Sequence, residues 1–282
     1  MSAILVLDDA VGDPIADVLT RHPIDGLAIV QLSDFLKVSG VAYDEDSGRL
    51  TKLSLKDGIH DRVLDRVVEI SPLAIENFAG GKSSLQRGQL YSAYEELMAE
   101  TETLSERRQY TGLGKLVPLP TQWFIIAKNL PHVATPSFRY GYGPEVIDAE
   151  GLREPIHKSP FDLYTWKPNE RAEGFIWDDF IVSRPAGRPF LAYRLNERVI
   201  IEALDGGEID PGSCSDIANL TVEALDLFSA NIGEVLWFLD GDRPVFAAFS
   251  HFLAGAAKSP QFENEARRYL GSFMPGNEGC EL

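Results

Sequence analysis

Residues 180–201, FIVSRPAGRPFLAYRLNERVII, most constrain what this chain can fold into. Phe180-Ile181-Val182 and Phe190-Leu191-Ala192-Tyr193 are apolar runs separated by the turn-forming Pro-Ala-Gly-Arg-Pro at 185–189. Val199-Ile200-Ile201 follows the polar break Asn196-Glu197-Arg198. That pattern predicts strand, turn, strand and then a third strand. Residues 234–240 and 243–251, joined at Asp240-Gly241-Asp242, predict another hairpin. The last third of the chain is therefore expected to be built on sheet.

With 282 residues, 44% of them hydrophobic, the chain can bury two or three packed units. Its 26 basic and 43 acidic residues leave a net charge of −17. Such a surface repels phosphate backbones and anionic lipid, so neither nucleic acid nor membrane is expected as a partner. No apolar run approaches the ~18 residues of a spanning helix, and Ala3-Ile4-Leu5-Val6-Leu7 has no basic leader before it, which predicts a cytoplasmic protein. Cys214 and Cys280 stand alone, without the paired spacing of a zinc site or a disulfide framework.

In chain order, residues 3–8 predict a strand, and Asp13-Pro14 then opens a helix: Asp13 can accept from free amide groups, and Pro14 suits the first turn. Residues 26–32 complete a β-α-β unit, which implies a parallel pair. Residues 38–43 and 50–55 predict a hairpin, Lys56-Asp57-Gly58 a second turn, and residues 65–70 a returning strand. Residues 83–108 predict a long helix whose stripe of Leu90, Tyr94, Leu97, Met98 and Leu104 reads as core. Gly112-Leu113-Gly114 marks a boundary. A short strand at 115–119, a helix at 121–130, a strand at 162–166, a helix at 216–231 and a last helix capped by Ser259-Pro260 follow.

This order, with the short match Trp166-Lys167-Pro168, resembles the ATP-grasp superfamily, and within it the ligases that add amino acids to a ribosomal protein and those that modify ribosomally made peptides. The resemblance implies an α/β (α+β) fold: an N-terminal β-α-β domain at 1–112, a central segment at 113–175 and a C-terminal segment at 176–275 forming a cleft, and a tail at 276–282. It further implies ATP and magnesium as cofactors, with a carboxylate activated as an acyl phosphate and attacked by an amine. Cations must surround the phosphoryl charge in such a reaction. Lys167 matches the lysine of the family's Lys-Pro pair, and Lys158 is a candidate for a second phosphate contact. The family's magnesium ligands are an acid on the strand after the penultimate helix and Glu-x-Asn at the end of the next. Here those strands are read as Val235-Leu236-Trp237-Phe238-Leu239 and Val245-Phe246-Ala247-Ala248-Phe249-Ser250, apolar where hard oxygen donors are needed, so no metal ligand is assigned.

Gly80-Gly81-Lys82-Ser83-Ser84 has the end of a phosphate-binding loop but Glu76 at the position of its first glycine, so a flexible loop and helix cap is the plainer reading. The five histidines show no metal spacing, and His251 is the best placed of them for acid–base work, with packing or surface exposure as the plainer reading. Arg184, Arg188, Arg194 and Arg198 form the densest basic cluster. Planar guanidinium groups suit a carboxylate clamp, for which Arg184 and Arg194 are the candidate catalytic residues, and surface pairing with nearby acids is the competing account. Two functions follow: an ATP-dependent carboxylate–amine (peptide) ligase, or a non-catalytic peptide-binding or scaffold relative that kept the fold without the magnesium ligands. A peptide or small carboxylate is the expected partner, with a protein partner or a second copy of the chain as further candidates.

Overall fold

The computed structural model describes residues 3–7, 12–65, 85, 86, 88, 89, 92, 117–142, 149–166, 178–195, 198–208 and 210–273. They fall into two compact units, Met1–Lys115 with Pro260–Leu282, and 116–259.

The first unit opens as the sequence predicts. Strand β1 (Ala3–Leu7) lies parallel to β2 (Leu27–Gln31) across helix α1 (Pro14–Arg21). The Asp13 carboxylate accepts hydrogen bonds from the Ile15 and Ala16 amides at 2.8 and 3.2 Å, satisfying donors that the first turn leaves open. After a one-turn helix α2 (Leu32–Phe35), which the sequence reading misses, β3 (Gly40–Tyr43), β4 (Leu50–Leu55) and β5 (Gly58–His60) form an antiparallel meander. Strand β6 (Arg62–Asp65) returns parallel to β1, giving the order β2-β1-β6. It begins three residues before the expected 65–70, which otherwise lies outside the described residues, as do most of the helix expected at 83–108 and the glycine boundary at 112–114. Ile4, Val6, Val30, Phe35, Leu53 and Val63 join the parallel sheet and the meander in one core.

In the second unit, α3 (Leu119–Asn129) is followed by β7 (Phe138–Tyr142), β8 (Pro155–His157) and β9 (Asp178–Ser183), an antiparallel sheet in the order β7-β9-β8. Strands β10 (Arg188–Leu195) and β11 (Arg198–Ala203), helix α4 (Pro211–Leu227), β12 (Ile232–Asp240) and β13 (Arg243–Ser250) form the four-stranded antiparallel sheet β11-β10-β12-β13 with α4 against it. Helix α5 (Phe262–Gly271) then completes the first unit, with Phe262, Ala266, Tyr269 and Leu270 buried.

Four local expectations are corrected. Residues 180–193 are not a hairpin: β9 and β10 belong to different sheets, and the hairpin is β10–β11. The crossing residue Gly187 has φ of 92°, and a Cβ there would stand 2.0 Å from the Leu239 carbonyl oxygen. The strand at 115–119 is absent from its described part, because Pro118 sits at the N-cap of α3 and Leu119 is already helical. Residues 162–166 form a turn, closed by the Asp162 carboxylate accepting from the Tyr164 and Thr165 amides at 3.2 and 3.0 Å; such side-chain closure competes with strand pairing. Ser259 does not cap α5, whose N-cap is Gln261; its hydroxyl bonds Glu202 and lies 3.0 Å from the Tyr193 hydroxyl.

Candidate functional site

The ends of β12 and β13 meet where Glu234 pairs with Ser250. Glu234 is 2% exposed on a strand that is otherwise almost wholly apolar. A buried carboxylate requires donors, and Glu234 has three. The Tyr164 hydroxyl and the Gly255 amide, at 3.1 Å, reach Oε1, and the Ala256 amide reaches Oε2 at 2.7 Å. The Tyr164 hydroxyl also lies 2.8 Å from the Ser250 hydroxyl, which accepts from the Phe252 amide at 3.1 Å. Burial pushes the Glu234 carboxyl above its ordinary range although all three donors pull it down. Burial and the adjoining carboxylate push the Tyr164 phenol up.

These contacts fasten the segment that follows β13. Leu253 holds a left-handed φ of 55°, and a Cβ on Gly255 would come within 3.0 Å of Leu191 and 3.2 Å of the Glu234 carboxylate. His251, at the start of this segment, is buried against the Phe249 ring, 4.4 Å between centroids in an edge contact. His251 thus takes the packing role that belongs to its plainer reading.

Lys158 holds the other side of the cluster. Its ammonium donates to the Thr165 carbonyl at 2.7 Å and lies 3.8 Å from the centroid of the Trp166 ring, while its own amide bonds the Phe180 carbonyl of β9 at 3.0 Å. Residue 165 is adjacent to Tyr164, so Lys158 fixes the loop that brings the phenol to Glu234. Burial depresses the Lys158 amine to about 8, with Asp162 opposing the shift. Lys167 lies outside the described residues.

The arginines divide. Arg194, 8% exposed, points to the C-terminal end of α4, where its guanidinium meets the Asp226 carboxylate at 2.9 Å and the Ala230 and Asn231 carbonyls at 3.2 Å. These two carbonyls lie in the turn beyond the last helical residue, Leu227, and a cation there also meets the negative end of the helix dipole. Arg188 forks onto Asp205 at 2.5 and 2.7 Å and holds that carboxyl well below its usual range. Arg184 is half exposed, with Glu154 at 3.5 Å. No described contact joins Arg184, Arg194 and Lys158. Sequence reasoning missed Glu234, Tyr164 and Ser250 as a set: it placed Glu234 at the head of the strand predicted at 234–240 but weighed only the apolar residues from Val235 onward against the family's ligand positions.

The arrangement of β-α-β start, mixed central segment and four-stranded antiparallel sheet followed by a helix is the ATP-grasp fold. Three solved structures carry that statement. The macrocyclase MdnC from Microcystis aeruginosa MRC, bound with precursor peptide MdnA, superposes with a TM-score of 0.57 at 12% identity, covering 96% of this chain and 100% of its own. The ATP-grasp ligase PsnB, complexed with a phosphomimetic variant of minimal precursor, Mg and ADP, gives 0.54 at 13% identity, covering 97% and 99%. D-alanine–D-alanine ligase from Bacillus anthracis, complexed with ATP, gives 0.56 at 10% identity, covering 96% of each. No family model and no curated protein sequence matches the chain.

The described residues do not fit a magnesium ion at the ends of β12 and β13. Magnesium needs oxygen ligands in a near-octahedral set. The carboxylate present already accepts from three donors of the chain itself, and the facing strand ends Ala247-Ala248-Phe249-Ser250. Among the described residues no group of three or more histidine, cysteine or acidic side chains could hold a metal.

Proposed function

We propose that this protein is a peptide-binding ATP-grasp relative that acts in the modification of a peptide without building the magnesium centre of a ligase. The carrying observation is the Glu234 carboxylate, which is committed to Tyr164, Gly255 and Ala256. Three of the carboxylate's roughly four acceptor sites are taken by these donors, so a metal would find at most one without displacing a donor, and loss of the bond from Ala256 would leave a buried amide unsatisfied. The precursor peptides held by MdnC and PsnB support a peptide as the partner. In this reading the sheets β7-β9-β8 and β11-β10-β12-β13 are the central and C-terminal segments divided near residue 175. Lys158 and Arg194 are positioning residues, and Arg184 and Lys167 are the cations left to meet an anionic group of the ligand. No described helix is long and apolar enough to cross a membrane, and a cytoplasmic site of action belongs to the same proposal.

The test is calorimetric titration of the purified chain with ATP and magnesium, then with magnesium omitted. The expected result is no magnesium-dependent heat at millimolar nucleotide. Magnesium-dependent binding that disappears in Lys167→Ala would overturn this reading in favour of the ligase, with Lys158 and Lys167 on the phosphates and Arg184 and Arg194 on the carboxylate. Lys158 is what favours that second reading: an amine depressed to about 8 beside the Trp166-Lys167-Pro168 match is a cation that can exchange its proton near neutral pH.

A further inference from the structure

The first unit contains a groove of about 810 Å³ between the C-terminal end of α1 and the exposed side of α5. That volume is within the range of sites that enclose small ligands or short peptide segments. Pro23, Ile24 and Pro260 supply its apolar part, and the side chains of Asn264, Arg267 and Arg268 line its polar wall.

The charge of this groove runs against the charge of the chain. The protein as a whole carries −17, yet the groove has two arginines and a single carboxylate, Glu265, which is spent on Arg268 at 3.0 Å. At its rim Glu263 is engaged by Arg21 and by His22, whose ring nitrogen lies 2.7 Å from the carboxylate. The hydrogen bonds from His22 and Arg21 hold that carboxyl below its ordinary range. Arg267 is exposed and has no ion partner among the described residues. A neutralised rim, an apolar floor and a free guanidinium form a surface for a carboxylate-bearing chain, since arginine binds carboxylates through a planar fork.

We propose that this groove docks an acidic segment of the peptide partner, with the guanidinium of Arg267 taking a carboxylate, Arg268 adding positive charge beside it while it holds Glu265, and Pro23, Ile24 and Pro260 meeting the segment's apolar side chains. The proposal rests on the peptide-binding reading above and adds where and by what chemistry the peptide is held. Surface attraction of this kind is screened by salt, so its affinity falls with ionic strength.

The test uses the full chain and three fluorescein-labelled peptides of equal length, one rich in glutamate and leucine, one uncharged and one rich in lysine, followed by fluorescence anisotropy at low and high salt. The glutamate peptide is expected to bind in preference to the other two and to lose affinity about tenfold in Arg267→Gln/Arg268→Gln. Arg49→Gln/Lys52→Gln, which removes the same charge from the exposed β3–β4 hairpin, is expected to leave binding unchanged. An equal loss in both double variants, or binding unaffected by either, overturns the groove while the peptide-binding reading stands. Preference for the uncharged or lysine peptide does the same. Binding of none of the three overturns both. Thermal melts of each variant verify that the fold is kept.

Discussion

The Tyr164 phenol donates its hydrogen bond to the Glu234 carboxylate, across 70 residues of sequence, at the junction of a loop held by Lys158 and a strand of the four-stranded sheet. Tyr164→Phe keeps the ring and removes this one donor. Glu234 would then hold its charge with the Gly255 and Ala256 amides alone. A buried carboxylate that loses a donor costs about 1–3 kcal/mol, which for a chain of this size lowers Tm by about 2–4 °C per kcal/mol. A melting temperature equal to wild type would mean that the phenol contributes nothing to the clamp.

Glu234 also sets a pH dependence. Its folded carboxyl is raised above the ordinary 4.5, so between those two values the native state binds more protons than the unfolded chain. Stability from this group is therefore present at low pH and falls as pH rises through that window. Glu234→Gln carries no such proton, and the difference in denaturation free energy between wild type and variant should move against the wild type as pH increases from about 4 towards neutrality. A flat difference across that range would show that the carboxyl titrates alike in both states.

Arg194 and Arg184 should separate in a stability measurement. Arg194→Met leaves the Ala230 and Asn231 carbonyls and the Asp226 carboxylate without their guanidinium donor. The cost is about 1–3 kcal/mol, the range for leaving buried polar groups unsatisfied, since the Asp226 carboxylate is itself solvent-exposed. Arg184→Met removes one long ion pair at an exposed site and should stay within about 0.5 kcal/mol. Urea unfolding of the two variants checks this, and equal costs would contradict the contrast in burial.

Much of the layout was legible because it rests on local rules. Asp13-Pro14 caps α1, Asp240-Gly241-Asp242 turns β12 into β13, and the apolar runs at 180–201 become strands. What was hidden depends on contacts between distant residues. Whether β9 pairs with β10 is decided by Gly187 fitting against Leu239 and by β7 and β8 claiming β9. The role of Glu234 depends on Tyr164, brought in by an Asx-closed turn that apolar patterning reads as a strand. Arg194 was legible as a basic residue of interest, but its burial against the end of α4 follows from the pairing of β10 with β12 and not from its neighbours in sequence.

Lys158 carries the clearest test of how this loop is held. Its amine is depressed from 10.5 to about 8 by burial, against the pull of Asp162. Between those values the unfolded chain binds the proton more tightly than the folded one, so stability from this group rises as pH climbs from about 8 to about 10.5 and is lowest below 8, where the buried ammonium is charged. A shift of this size corresponds to about 3 kcal/mol across the window. Lys158→Met keeps the aliphatic length over Trp166, abolishes the titration and gives up the bond to the Thr165 carbonyl. Relative to that variant the wild type should gain stability on going from pH 7 to pH 10. The same gain should vanish in a denaturation series on Lys158→Arg, whose charge does not titrate there. If Lys158→Met and wild type instead run parallel between pH 7 and pH 10, the ammonium is solvated, and the loop that delivers Tyr164 to Glu234 is held by Asp162 and Trp166 without it.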